Sequence, residues 1–183
     1  MRSIWKQRFN EQRTEAEPTI ETYVEEMKYL PWGNTINQVL KILSTLPANS
    51  SVLDLMCGPG YLLHRLRKAR PDLDLEGVDI IPDYITHAQN TDSSITYREA
   101  DVLKLSSNRE FDAVVCTAGV HHLKYEDQEP FLQRIPELMR PDGTFVLADV
   151  YIDDYITEEQ RKIGAVQLGC EYIHATIKAG APP

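Results

Sequence analysis

Apolar residues recur at Ile36, Val39, Leu40 and Leu43, the i, i+3, i+4, i+7 spacing of a helix with one buried face. Asn34 stands where it can cap that helix. Upstream, Ile20, Tyr23, Val24, Met27 and Tyr29 fall near one side of a shorter helix over 18–30, which Pro31-Trp32-Gly33 breaks. From Ser51 the pattern changes. Short apolar runs predict strands near 51–56, 73–79, 95–99, 111–117 and 143–150, separated by helical patterns near 60–69, 82–90 and 128–140. Val114-Val115 and Phe145-Val146-Leu147 read as strands covered on both faces. Such alternation predicts an α/β fold, a doubly wound and mostly parallel sheet with helices on both faces. Arg140-Pro141-Asp142-Gly143 reads as the turn into the fifth strand. Thr157 and Gln160 form a capping-box pattern for a last helix near 157–179, whose apolar stripe is Ile163, Val166, Cys170, Ile173 and Ile177.

Composition narrows the class of protein. The 183 residues suffice for one domain with a sizeable core, and 42% apolar with 26% charged residues is the usage of a soluble globule. A formal charge of −9 argues against nonspecific nucleic-acid binding, which needs a basic surface. No apolar run approaches the ~20 residues of a membrane span. Met1 to Arg13 are polar and charged and do not read as a signal peptide. The three cysteines, Cys57, Cys116 and Cys170, are far apart and outside any metal-ligand spacing. The expectation is a cytoplasmic, reduced protein without structural metal.

The chemistry concentrates where the first strand ends. Val52-Leu53-Asp54-Leu55 runs into Met56-Cys57-Gly58-Pro59-Gly60, and Leu62, Leu63 and Leu66 follow at helical spacing. Glycines let backbone approach a ligand closely, and the helix beyond points its positive end at it. Asp79 closes the second strand, placed to accept hydrogen bonds from ribose hydroxyls. A nicotinamide fingerprint would want a third glycine at position 63, where Leu63 stands, and an acid precedes the bend instead. These details favour S-adenosylmethionine over a dinucleotide.

Several motifs in order resemble the class I S-adenosylmethionine-dependent methyltransferases, over roughly residues 34–150. Asp54 to Gly60 resembles the family's first motif, Gly77-Val78-Asp79 its second strand, and Glu99-Ala100-Asp101-Val102 the segment flanking adenine. Phe111 to Val115, continued by Cys116-Thr117-Ala118-Gly119-Val120-His121-His122-Leu123, resembles motif four. Leu138 to Gly143 is similar to the turn before strand five. The resemblance implies a Rossmann-like fold, S-adenosyl-L-methionine as cofactor and S-adenosyl-L-homocysteine as product. It divides the chain into an N-terminal arm or lid, 1–33, and a cofactor-binding domain, 34–183. Two departures stand out. Met56 replaces the family's usual first glycine, so the bend is expected over Cys57–Gly60 with Met56 packed inward. The family's strands six and seven find no counterpart after Val150, so the chain reads as C-terminally truncated, or as an oligomer that completes the sheet edge.

Each implied residue has a plainer alternative. Asp54 would help fix the cofactor's ammonium, or caps a strand end; Gly58 and Gly60 would flank its tail, or merely turn the chain. Asp79 would hold the ribose. Ile80 (with Ile81) and Val102 would flank the adenine, and Asp101 would receive its amino group; core packing and a loop acid are the alternatives. Cys116 and Thr117, with Ala118, would lie under the sulfonium end, and Met56 and Cys57 of the bend would also touch the cofactor. His121 or His122 would take a proton from the acceptor, since imidazole titrates near neutrality; a helix cap, a surface histidine or a substrate-shaping hydrogen bond is the alternative. Tyr23, Tyr29 and Trp32 would form a lid over substrate, or pack helices. Arg13 is a weaker candidate for the cofactor carboxylate, and Asp153-Asp154 reads as a charged loop. The expected reaction is methyl transfer to an O, N or C nucleophile of a small molecule. The alternatives are methylation of RNA or protein, and an inactive cofactor-binding partner subunit.

Overall fold

The computed structural model describes residues 20–29, 31–151 and 154–178. Five strands, β1 (Ser51–Leu55), β2 (Asp74–Asp79), β3 (Thr96–Glu99), β4 (Phe111–Thr117) and β5 (Met139–Ala148), form one sheet in the order β3-β2-β1-β4-β5. Every pairing is parallel. The chain winds outward from β1 to β3, then crosses back to lay β4 on the other side of β1. The winding thus reverses between β1 and β4, and a crevice opens beyond their carboxyl ends.

Alternate residues feed two cores, as the two-sided strands predict. Val52, Ala113 and Val115 join one cluster with Ile36, Val39 and Leu43 of α2 (Pro31–Leu43), Leu62, Leu63 and Leu66 of α3 (Tyr61–Ala69), and Ile85 and Ala88 of α4 (Pro82–Thr91). Leu53, Leu55, Val114 and Cys116 face the other way, against Phe131, Ile135 and Leu138 of α5 (Tyr125–Leu138). Pro130 and Pro136 lie inside α5 and remove two backbone donors. Its three buried apolar anchors keep it helical. The pole away from the crevice is pinned by Asp112, which accepts from the Ser51 amide and hydroxyl at 2.7 and 2.8 Å and from Arg140 at 2.8 Å.

Three local expectations are corrected. Pro31 opens α2 rather than separating it from α1 (Ile20–Tyr29), because proline is pre-organised for a first helical turn. Asn34 is therefore inside α2 and caps nothing. Strand β5 begins at Met139, not near 143: Phe111 pairs with Met139 and Ala113 with Thr144, so the predicted turn is a bulge within the ladder. Asp142 supplies its left-handed residue, φ 65°.

The last helix, α6 (Glu158–Lys178), has the expected capping box: the Gln160 amide donates to Thr157 Oγ1 at 3.2 Å, and the Thr157 amide to Gln160 Oε1 at 3.0 Å. Its apolar stripe, however, is uncovered. Ile163, Val166, Ile173 and Ile177 are all more than half exposed. Among the described residues five strands are present and β5 is an edge. No described helix is long and apolar enough to cross a membrane.

Candidate functional site

The bend after β1 starts one residue earlier than the sequence suggests. Met56 itself adopts a left-handed backbone, φ 60°, followed by Gly58 at 54° and Gly60 at 81°. A residue with a Cβ held there costs about 1–2 kcal/mol. Met56 is half-buried and packs inward as expected, against the α5 side of the sheet. Gly60 then begins α3, and a Cβ on it would lie 2.6 Å from the Tyr97 hydroxyl.

The bend is tied to β2. The Cys57 amide donates to the Val78 carbonyl at 3.0 Å, and the Gly58 amide to Asp79 Oδ2 at 2.8 Å. The other Asp79 oxygen accepts from the Ile81 amide at 3.0 Å. Burial pushes the Asp79 carboxyl above its ordinary range, against the opposing pull of the Ile81, Gly58 and Ile80 amides. Asp79 therefore braces the bend from the carboxyl end of β2.

Behind the bend lies a narrow pocket at the tips of β1 and β4. Asp54, Met56, Cys57 and Thr117 line it, with Tyr23 and Met27 from α1 and Tyr61 from α3. Asp54 is 2% exposed, and its carboxyl takes no side-chain hydrogen bond among the described residues. Burial and then the nearby Asp79 push its carboxyl well above the ordinary range. The Thr117 hydroxyl is also buried and has no hydrogen-bond partner. A buried hydroxyl left unpaired on the wall that also carries a buried carboxyl is costly in an isolated fold and makes this pocket the candidate ligand site. Helix α1 covers the bend: a Cβ on Gly58 would lie 2.9 Å from the Tyr23 hydroxyl, and the Tyr23 ring rests 5.8 Å from Tyr84.

A second cluster sits beside this pocket, over the tips of β4 and β5. His121 occupies a single 3₁₀ turn, Val120–His122. Its Nδ1 lies 2.6 Å from Oδ1 of Asp149, which directly follows β5. The Trp32 ring is nearly parallel to the His121 ring at 6.1 Å, and the His122 ring is 4.0 Å away. Trp32 is buried, His121 half-buried and His122 exposed. Neither histidine lines the narrow pocket itself.

A family model described as a methyltransferase domain matches residues 52–143, just over half of the chain. The chain belongs to the methyltransferase-domain family. It is a class I domain, and the cofactor of that class is S-adenosylmethionine. An uncharacterized methyltransferase of Mycobacterium bovis is 32% identical over 121 residues, spanning 64% of this chain and 59% of its own length. The chain thus spans about three fifths of that relative's length. The Streptomyces fradiae dTDP-3-amino-3,6-dideoxy-α-D-glucopyranose N,N-dimethyltransferase is 26% identical over 125 residues, 67% of this chain and 48% of its own. Among solved structures, the N-methyltransferase NodS from Bradyrhizobium japonicum, in complex with S-adenosylhomocysteine, superposes with a TM-score of 0.59 at 20% identity. That match covers 78% of this chain and 71% of NodS. At that identity the likeness speaks for the fold alone.

The remaining sequence candidates spread around the methyltransferase domain's crevice. Ile80 is 61% exposed just past β2. Asp101 caps its own turn, accepting from the Leu103 amide at 2.9 Å and pairing with Lys104 at 3.1 Å. Val102 is buried next to it, and Arg134 of α5 holds this loop through the Leu103 and Leu105 carbonyls. Cys116 turns its side chain into the core on the α5 side, where burial pushes its thiol up. Tyr29 ends α1, but its side chain, like Arg13 and Asp153, lies outside the described residues. Sequence reasoning missed Asp149, Met27 and Tyr61. Asp149 carried one usable signal, an acid at the carboxyl end of a buried strand.

Proposed function

We propose that this domain binds S-adenosylmethionine across the strand tips and directs its methyl group to an amine nitrogen of a small molecule. The observation that carries the cofactor half is the buried Asp54 carboxyl beside the unpaired Thr117 hydroxyl, behind a bend of left-handed glycines. An α-ammonium would give both groups partners. Gly58 and Gly60 would let its carboxylate tail pass the backbone, and Asp79 would take the ribose hydroxyls. Ile80 and Val102 would flank the adenine, with Asp101 at its edge. The bound cofactor would supply an activated methyl group with a neutral thioether as leaving group. What remains for the protein is alignment, exclusion of water and removal of a proton from the acceptor. In this reading residues 20–33 act as the lid: Tyr23 closes over the bend, and Trp32 backs His121.

An amine acceptor is supported by the Streptomyces fradiae relative, whose name describes N,N-dimethylation of an amino sugar. The formal charge of −9 speaks against a nucleic-acid acceptor. The test has two arms. S-adenosylhomocysteine should raise the thermal midpoint, by about 2.7 kcal/mol of stability at a hundred times its Kd. Label from methyl-tritiated cofactor should enter the small-molecule fraction of an extract. No thermal response refutes cofactor binding, and label confined to RNA or protein refutes the acceptor class.

A further inference from the structure

Two adjacent histidines follow β4, and the fold treats them differently. Asp149 engages His121 at two points. Its Oδ1 lies 2.6 Å from the imidazole Nδ1, and its Oδ2 accepts from the His121 amide at 3.2 Å. Oδ1 also accepts from the Val150 amide at 2.8 Å. The Asp149 side chain is 1% exposed, while that of His121 is 35% exposed. The acid is therefore sealed beneath the ring, and the ring has one side toward solvent.

Burial pushes the Asp149 carboxyl up, but the His121 hydrogen bond and charge, with the Val150 and His121 amides, outweigh it and hold it below the ordinary range. An ionised carboxylate only accepts hydrogen bonds, so the nitrogen facing it carries the proton. In a neutral imidazole bonded this way, Nδ1 is the donor and Nε2 holds the lone pair.

We infer that Asp149 is a positioning residue that holds His121 as the Nδ1–H tautomer, so that Nε2 takes a proton from a methyl acceptor arriving as an alkylammonium. The acceptor in this statement rests on the function proposed above; the tautomer does not. An alkylamine is largely protonated near neutral pH, with a pKa comparable to the ~10.4 of lysine, and its nitrogen then has no lone pair. In the step assigned to His121, one N–H bond of the ammonium breaks and its electron pair stays on nitrogen as the lone pair needed for attack. The proton forms a new N–H bond at Nε2. The resulting imidazolium faces the Asp149 carboxylate, which stabilises it in place. The His122 ring lies tilted against that of His121, 4.0 Å away, but His122 is exposed where His121 is half-buried.

Long-range nitrogen–proton NMR on histidine-labelled protein with S-adenosylhomocysteine tests the tautomer directly, with His121→Gln identifying the signal. The parent protein should show a protonated Nδ1 and an unprotonated Nε2 when His121 is neutral; the reverse overturns the inference without touching the cofactor reading. Asp149→Asn preserves size and removes the charge. With dTDP-3-amino-3,6-dideoxyglucose as the acceptor probe, its kcat should fall about 10²-fold while KM and S-adenosylhomocysteine affinity stay within about twofold. Parent-like kcat in Asp149→Asn overturns the positioning role, as does an equal loss of inhibitor binding. A parent that binds the inhibitor but leaves the amino sugar unmethylated overturns the ammonium assignment.

Discussion

Asp54→Asn should make the empty protein more stable and a worse binder. The parent carboxyl is 2% exposed, takes no side-chain hydrogen bond among the described residues and lies close enough to Asp79 to feel its charge. Leaving a buried polar group unpaired costs about 1–3 kcal/mol, more when it is charged. The amide stays unpaired but cannot ionise, so the variant escapes the part of the cost that charge adds and should be more stable at neutral pH, each kcal/mol being worth about 2–4 °C in a chain of this size. The sign follows from the direction of the shift. Asp54 is raised above its unfolded value, so between those two values the native state binds more protons than the unfolded one. The empty parent therefore loses stability as pH rises through that window, and the variant should lack this component. Binding reverses the preference: an ammonium beside Asp54 favours the carboxylate, so the parent should release protons as S-adenosylhomocysteine binds. A hydrogen bond to a charged group is worth about 1.5–3 kcal/mol, so the variant should bind roughly 10–150-fold more weakly. Thermal scans from acid to neutral pH give the first quantity, and calorimetry in buffers of different ionisation heat gives the others. A variant less stable than its parent at neutral pH, or one that binds with parental affinity, would falsify this account.

Asp79→Ala should weaken S-adenosylhomocysteine far more than His122→Ala in the same calorimeter. Asp79 holds the Gly58 and Ile81 amides and would hold the ribose, whereas His122 is exposed. Equal affinities would refute that ordering. Gly60→Ala should destabilise through two terms: a left-handed backbone costing about 1–2 kcal/mol and overpacking against the buried Tyr97 hydroxyl costing about 1–3 kcal/mol. Gly169→Ala serves as the control, because nothing lies within 4 Å of its Cβ position in α6 and the change should stabilise by about 0.5–1 kcal/mol. A urea midpoint for Gly60→Ala at or above the parental one would show that the bend tolerates a side chain.

Much of the fold was legible because its signals are local. Strands covered on both faces leave continuous apolar runs, so β1, β2 and β4 were found within a residue or so of their ends. The glycine bend and the acid after β2 were legible for the same reason: backbone approach and ribose recognition demand particular residue types at short spacing. The misreadings arose where one local signal serves two structures. Pro31 suits both a break and a first helical turn, and Arg140 to Gly143 suits both a turn and a bulge. Only the pairing of β5 with β4 decided the second case.

The residues alone determined the kind of protein, an α/β methyltransferase domain with a glycine bend after its first strand and an acid closing its second, because periodicity and bend chemistry are properties of neighbouring residues. Tertiary structure decided which of the candidate side chains lie together. It set His121 against an acid 28 residues away and left His122 exposed. It buried Asp54 and left the buried Thr117 hydroxyl without a hydrogen-bond partner, and it left the stripe of α6 uncovered although the sequence marks that stripe as apolar. Burial and pairing depend on what the rest of the chain brings alongside, and no spacing along one strand or helix specifies that.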